Sequence, residues 1–184
     1  MPAADVTVRD GGHDFDWEFG TWATHVRVLR NPLSPETPTW AEYEGTSIVH
    51  PLCDGRANLV ELDVTGPAGR IQGVSLRLYV AEARQWSLNF AGMADGLLTA
   101  PTIGEFADRR GEFHGADTLH GRAILVRFVI LDVTDDSARF EQSYSADGGR
   151  TWQLNWIATD KRLLGLEKQD QPVVPGRHVN DAGS

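Results

Sequence analysis

The sequence predicts an all-β protein, an antiparallel up-and-down barrel of about ten strands with a short N-terminal helical cap. Three observations carry this. Alternating apolar and polar runs recur along the chain, separated by turns rich in Gly, Pro and Asp. No long segment repeats its apolar residues at the helical period. The aromatic stretch Phe15-Asp16-Trp17-Glu18-Phe19 runs through Gly20 and Thr21 to Trp22, at the head of the first strand, where a large ring can plug one end of a closed sheet. Strand spacing alone also fits a sandwich. Sequence neighbours usually pair, and closure removes exposed edges, so the barrel is the preferred form.

In chain order, residues 1–12 read as a loose leader, 13–164 as one barrel domain and the polar segment 165–184 as a tail that frays. The turn at 15–19 is the best helix candidate, one or two turns long. Gly20 suits a tight entry into the strand at 23–29. Pro32, Pro35 and Pro38 make 31–39 a long loop. Strands follow at 40–51 and at 57–65, the latter entered through the turn dipeptide Asp54-Gly55. Segments 71–80 and 85–91 form a hairpin, and 92–101 is an irregular connection. Segments 103–107 and 111–118 pair next. The longest candidate, 122–133, precedes a final hairpin of 139–145 and 151–161.

Composition narrows the function. With 184 residues, 41% hydrophobic and 23% charged, the chain suits one soluble domain with a sizeable core. A net charge of −9 disfavours nucleic acid and anionic membrane surfaces as partners. Cys53 is the one cysteine, so no internal disulfide or cysteine-built metal site forms. No signal-peptide core and no membrane-length apolar run is present, and the protein is expected to be cytoplasmic.

A period of two fixes which residues share a strand face, though not which face points inward. In 74–79 the apolar residues Val74, Leu76 and Leu78 alternate with Ser75, Arg77 and Tyr79. The simple choice is apolar-in. In a ligand-binding barrel the lining can be mixed, and Arg77, Asn89 and Asn155 then line the cavity. Glu42 and Glu44 share a face with Trp40. Turned inward they would repel, raising one pKa to give a general acid or base, and turned outward they form a solvated face. Arg77 and Arg127 each sit between apolar neighbours and are candidate oxyanion anchors. Asn89, Gln142 and Asn155 can orient a ligand by hydrogen bonds.

Ser145-Ala146-Asp147-Gly148-Gly149-Arg150-Thr151-Trp152 fits the Asp-box pattern S-x-D-x-G-x-T-W. It reads as a structural hairpin turn, and its single occurrence argues against a propeller. His114 and His120 flank Asp117, but the turn at 118–121 breaks their common parity, so no metal is expected. His25 and His50 are isolated. Phosphate-cradling, dinucleotide and nucleophile-elbow motifs are absent, and no cofactor is expected.

Taken together, Gly20-Thr21-Trp22, Trp40-Ala41-Glu42-Tyr43-Glu44-Gly45, Pro51-Leu52-Cys53-Asp54-Gly55 with Asn58, Leu76-Arg77-Leu78, Trp86-Ser87-Leu88, the 147–152 turn and Asn155-Trp156 resemble an uncharacterised bacterial family of lipocalin-like, or calycin, β-barrels. The resemblance spans about residues 14–161. Gly20-Thr21-Trp22 is similar to the Gly-x-Trp entry of lipocalins, where the Trp closes the barrel base. The resemblance implies a hollow lipocalin-like barrel and brings no catalytic residue with it.

The first functional expectation is therefore binding of a small, mostly apolar organic molecule in the cavity, by Trp40, Glu42, Arg77, Asn89, Gln142, Asn155 and Trp156. The second is a cofactor-free isomerase, cyclase, hydratase or decarboxylase. There Glu42 or Glu44 moves the proton, and Arg77 or Arg127 stabilises the oxyanion of an unsaturated or polyketide-like substrate. A third is a homodimeric interaction protein using its exposed strand faces.

Overall fold

The computed structural model describes residues 10–163. Ten strands carry the chain: β1 (Gly20–Leu29), β2 (Trp40–Leu52), β3 (Ala57–Gly66), β4 (Gly69–Val80), β5 (Gln85–Gly92), β6 (Thr102–Ala107), β7 (Arg110–Leu119), β8 (Arg122–Leu131), β9 (Ser137–Ser145) and β10 (Gln153–Arg162). Each pairs antiparallel with its neighbour in sequence, and β1 pairs with β10 to close the barrel. The up-and-down order follows from short links. His120 and Gly121 both take positive φ between the paired Leu119 and Arg122, as a two-residue hairpin turn requires. The least complete seam is β5–β6, which part after three pairs, the last being Leu88 with Thr102.

The expected helical cap is a single 3-10 turn, Asp16–Glu18. Four residues after its start the chain must already be extended, and Gly20, at φ 122°, makes that bend. The expected leader at 1–12 lies outside the described residues except for its end. There Gly11 donates its N–H to the Tyr79 hydroxyl and accepts from Trp86 Nε1. The expected tail, 165–184, lies wholly outside them.

The turn fills the lower barrel with rings. Phe15 meets Trp86 and Phe106 edge-on, with centroids 4.8 and 5.0 Å away. Trp17 packs against Trp22 and Phe140. Trp22 is fully buried and donates Nε1–H to the Glu18 carbonyl at 2.6 Å. Across its ring, at 4.1 Å, lies the guanidinium of Arg162, the β10 partner of Trp22. That guanidinium donates to the carbonyls of Trp17, Phe19 and Asp135. One cation thus stacks on the plug and ties the entry turn to the β8–β9 connection.

At the opposite end Asp147 organises the 145–152 turn. Its Oδ1 accepts from the N–H of Arg150 and Thr151, and its Oδ2 accepts from the Thr151 hydroxyl at 2.7 Å. These bonds hold its carboxyl far below the ordinary range.

Replacing Arg162 by Ala is expected to lower unfolding free energy by about 2–4 kcal/mol, since three charge-assisted bonds and a stacked cation disappear. Arg162→Lys keeps the charge without the fork and recovers less than half of that. Urea denaturation measures both, and a lysine variant as stable as the parent would show the fork to be dispensable.

Candidate functional site

Closure leaves a cavity of about 440 Å3 along the barrel axis. Its walls are apolar: Val60, Leu62, Leu88, Val126, Phe128 and Phe140 all face it. Its floor, beside the cap turn, is polar and built by Glu18, Thr24, Ser47, Arg77 and Asp160. Its far end carries Asp117, Gln142, Tyr144 and Asn155.

The floor comes from four strands and the turn. On β4 the polar face is the inner one: Arg77 is 4% exposed whereas Leu78 is 42% exposed. Apolar-in is therefore wrong for this strand. The reason is Glu18, which projects from the turn into the barrel and supplies Arg77 with a buried counter-ion. Nη2 of Arg77 donates to Glu18 Oε1 at 3.1 Å and Nη1 to Oε2, while the guanidinium lies 4.4 Å from the centre of the Phe15 ring. Both terminal nitrogens are engaged, so Arg77 presents no open fork.

Asp160 stands opposite Thr24 on the β1–β10 seam. It is 5% exposed, and its Oδ1 has no hydrogen-bond partner. Burial pushes its carboxyl up to about 7. The Thr24 hydroxyl opposes that shift, the Glu18 charge adds to it and the Arg77 charge works against it. Thr24 Oγ1 also shares a 2.8 Å hydrogen bond with Ser47 Oγ. Asn58, fully buried and paired across the sheet with Arg77, has neither amide atom bonded, and Arg77 Nε is likewise unpartnered.

At the far end Gln142 Nε2 donates to the Tyr144 hydroxyl at 3.1 Å. Burial chiefly, then the Asp117 charge, raises the Tyr144 pKa, while hydrogen bonds from Asn155 and Gln142 lower it. Register slips between Leu154 and Trp156, so Asn155 is a bulge residue on β10. The bulge lets adjacent Asn155 and Trp156 both reach the cavity, which strict alternation forbids.

Of the residues expected from sequence, Arg77, Asn89, Gln142, Asn155 and Trp156 line the cavity. Asn89 does so just beyond the last β5–β6 pair, with its amide donating to the Ser87 hydroxyl. Trp40, Glu42, Glu44 and Arg127 do not line it. Glu42, 61% exposed along its side chain, pairs with Arg27 at 3.4 Å and His25 at 3.7 Å on the outer face. Glu44 is exposed on the same face. Trp40 lies under the Arg27 guanidinium, and Arg127 stacks on Trp152. The physical reason is parity: Ala41, Tyr43 and Ser47 take the buried side of β2, and Val126 and Phe128 flank Arg127 on the lining. His114 pairs with Glu112 at 3.0 Å, and no group of three metal-ligating side chains occurs among the described residues.

Glu18, Thr24, Ser47 and Asp160 join the site without a sequence expectation behind them. Asp160 had a signal: it shares parity with Trp156 and Ala158. Glu18 had a weaker one, a carboxylate inside an aromatic turn.

No family model matches the sequence, and no curated protein does. Among solved structures, the S-type phycobiliprotein lyase CPES of Guillardia theta is similar over 82% of this chain and 91% of its own, with a TM-score of 0.56 and 14% identity. That likeness concerns the fold alone. The ywiB protein of Bacillus subtilis covers 77% of this chain and 91% of its own at TM-score 0.37 and 11% identity. A protein of unknown function from the DUF3598 family of Nostoc punctiforme covers 85% and 100% at TM-score 0.25 and 8% identity.

Asp160 makes stability depend on pH. Its folded pKa, about 7, lies above the unfolded value near 3.9, so the folded state holds a proton that the unfolded state has lost. The penalty is absent below about pH 4, grows as pH rises and is complete above the folded pKa. Asp160→Asn is expected to gain roughly 2–4 kcal/mol over the parent near pH 8 and almost nothing near pH 4. Unfolding curves of the two proteins that run parallel across this range would contradict it.

Proposed function

We propose that the protein binds one small, largely apolar organic molecule inside a lipocalin-like barrel, its body against the aromatic wall and a polar end against the floor. The observation that carries this reading is the cavity itself. At about 440 Å3 it falls within the range of roughly 300–1,000 Å3 usual for small-molecule sites, with apolar walls and a few convergent polar groups. Buried polar atoms without partners on two floor residues, Arg77 Nε and Asp160 Oδ1, support it further. The fold likeness to the phycobiliprotein lyase agrees with a hollow barrel of this kind. The exposed, solitary Cys53 fits work in the reducing cytoplasm.

A second reading, a cofactor-free enzyme, is favoured by one observation. Asp160 brings a carboxyl titrating near neutrality into the cavity, as a proton-transfer group requires. In that reading Asp160 replaces Glu42 and Glu44 as the acid or base, and the unpartnered Arg77 Nε faces the developing oxyanion.

The neutral fluorophore N-phenylnaphthylamine tests the binding site. Ser75→Phe, which places a ring in the cavity, is expected to weaken binding about tenfold or more. Glu42→Gln and Arg127→Gln, on the outer face, are expected to leave it unchanged. Unaltered affinity in Ser75→Phe would move the site out of the barrel.

A further inference from the structure

The cavity lining carries an unequal balance of charge. Besides Tyr144, its ionisable lining residues are Glu18, Arg77, Asp117 and Asp160. Glu18 holds both terminal nitrogens of Arg77, so that pair neutralises itself. What remains is acidic, and the deepest acid is Asp160, nineteen-twentieths buried with an unpartnered Oδ1. Around it stand Thr24 from β1, Ala138 from β9, Glu18 from the cap turn and Arg77 from β4. Among the described residues lining the cavity, Arg77 is the one cation, and it is already engaged. The wall above is lined by the rings of Phe128, Phe140 and Trp156, residue types whose π-face attracts positive charge.

We infer that the cavity selects an organic cation, a protonated amine on an apolar body, with the ammonium seated on Asp160 and the body against the rings. This deepens the binding reading and rests on it. A carboxylate in the same place would face Glu18 and Asp160 with no free guanidinium fork to receive it. An alcohol makes the hydrogen bond but leaves the Asp160 carboxylate without a counter-ion. An ammonium supplies the charge whose absence, together with burial and Glu18, now holds Asp160 partly protonated near neutrality. Binding therefore displaces a proton from Asp160 to solvent, and affinity rises with pH until Asp160 is ionised in the free protein.

Titration calorimetry with phenylbutylamine, phenylbutanol and phenylbutyrate, which share one apolar body, tests this on the full chain. The amine is expected to bind tightest and to gain about thirtyfold in affinity between roughly pH 5.5 and pH 8.5. Asp160→Asn is expected to abolish both the amine preference and the pH dependence, and Glu44→Gln, on the outer face, to keep both. If Asp160→Asn does not fold, the pH series on the parent protein decides alone. An amine that binds no better than the alcohol, or whose affinity is flat or falls with pH, overturns the cation inference while leaving the cavity a binding site. Binding by none of the three overturns both.

Discussion

The β1–β10 seam is the constraint on which the rest of the molecule depends. One antiparallel register sets Trp22 against Arg162 and, two residues on, Thr24 against Asp160. The first pair seals the base, and the second places a carboxyl on the floor of the space above it. A slip of β10 by one residue would turn Arg162 and Asp160 to the opposite face together and break both pairs, because side chains alternate along a strand. Sealing and the placement of the carboxyl are therefore set by one and the same register.

The cap turn couples a second pair of functions. Its aromatic residues fill the lower barrel, while Glu18, between them, neutralises Arg77 on the far wall. A buried ion pair of this kind adds little net stability compared with apolar packing, but losing either partner strands the other in a low-dielectric space. The pair thus specifies where the turn docks. It also occupies the Arg77 fork and leaves Asp160 as the buried acid of the cavity with an unpartnered oxygen.

Much of the architecture is legible in the sequence. Alternation, turn dipeptides and the Gly20-Thr21-Trp22 entry point to ten antiparallel strands in meander order, and the chain forms them. The lining is less legible, because a period of two groups residues without choosing a side. Arg77, flanked by leucines, is inward only because Glu18 comes from another part of the chain to meet it. Glu42, in an equally suggestive setting, is outward because Tyr43 and Ala41 are the better core residues. Asp160 shows the same gap from the other direction. Its parity with Ala158 marks its face, but the uncompensated environment that makes it chemically distinct exists only once β1 and the cap turn close over it.

The bulge at Asn155 divides β10 into two segments with different obligations. Below it, Trp156 to Arg162 stay locked to β1 and maintain the base; above it, Gln153 and Leu154 follow β9 in a shifted register. An insertion or deletion at this point would rephase the upper rim while sparing the lower registry. Descendants of this barrel thus have a natural splice point at which the entrance can diversify while its foundations are inherited intact.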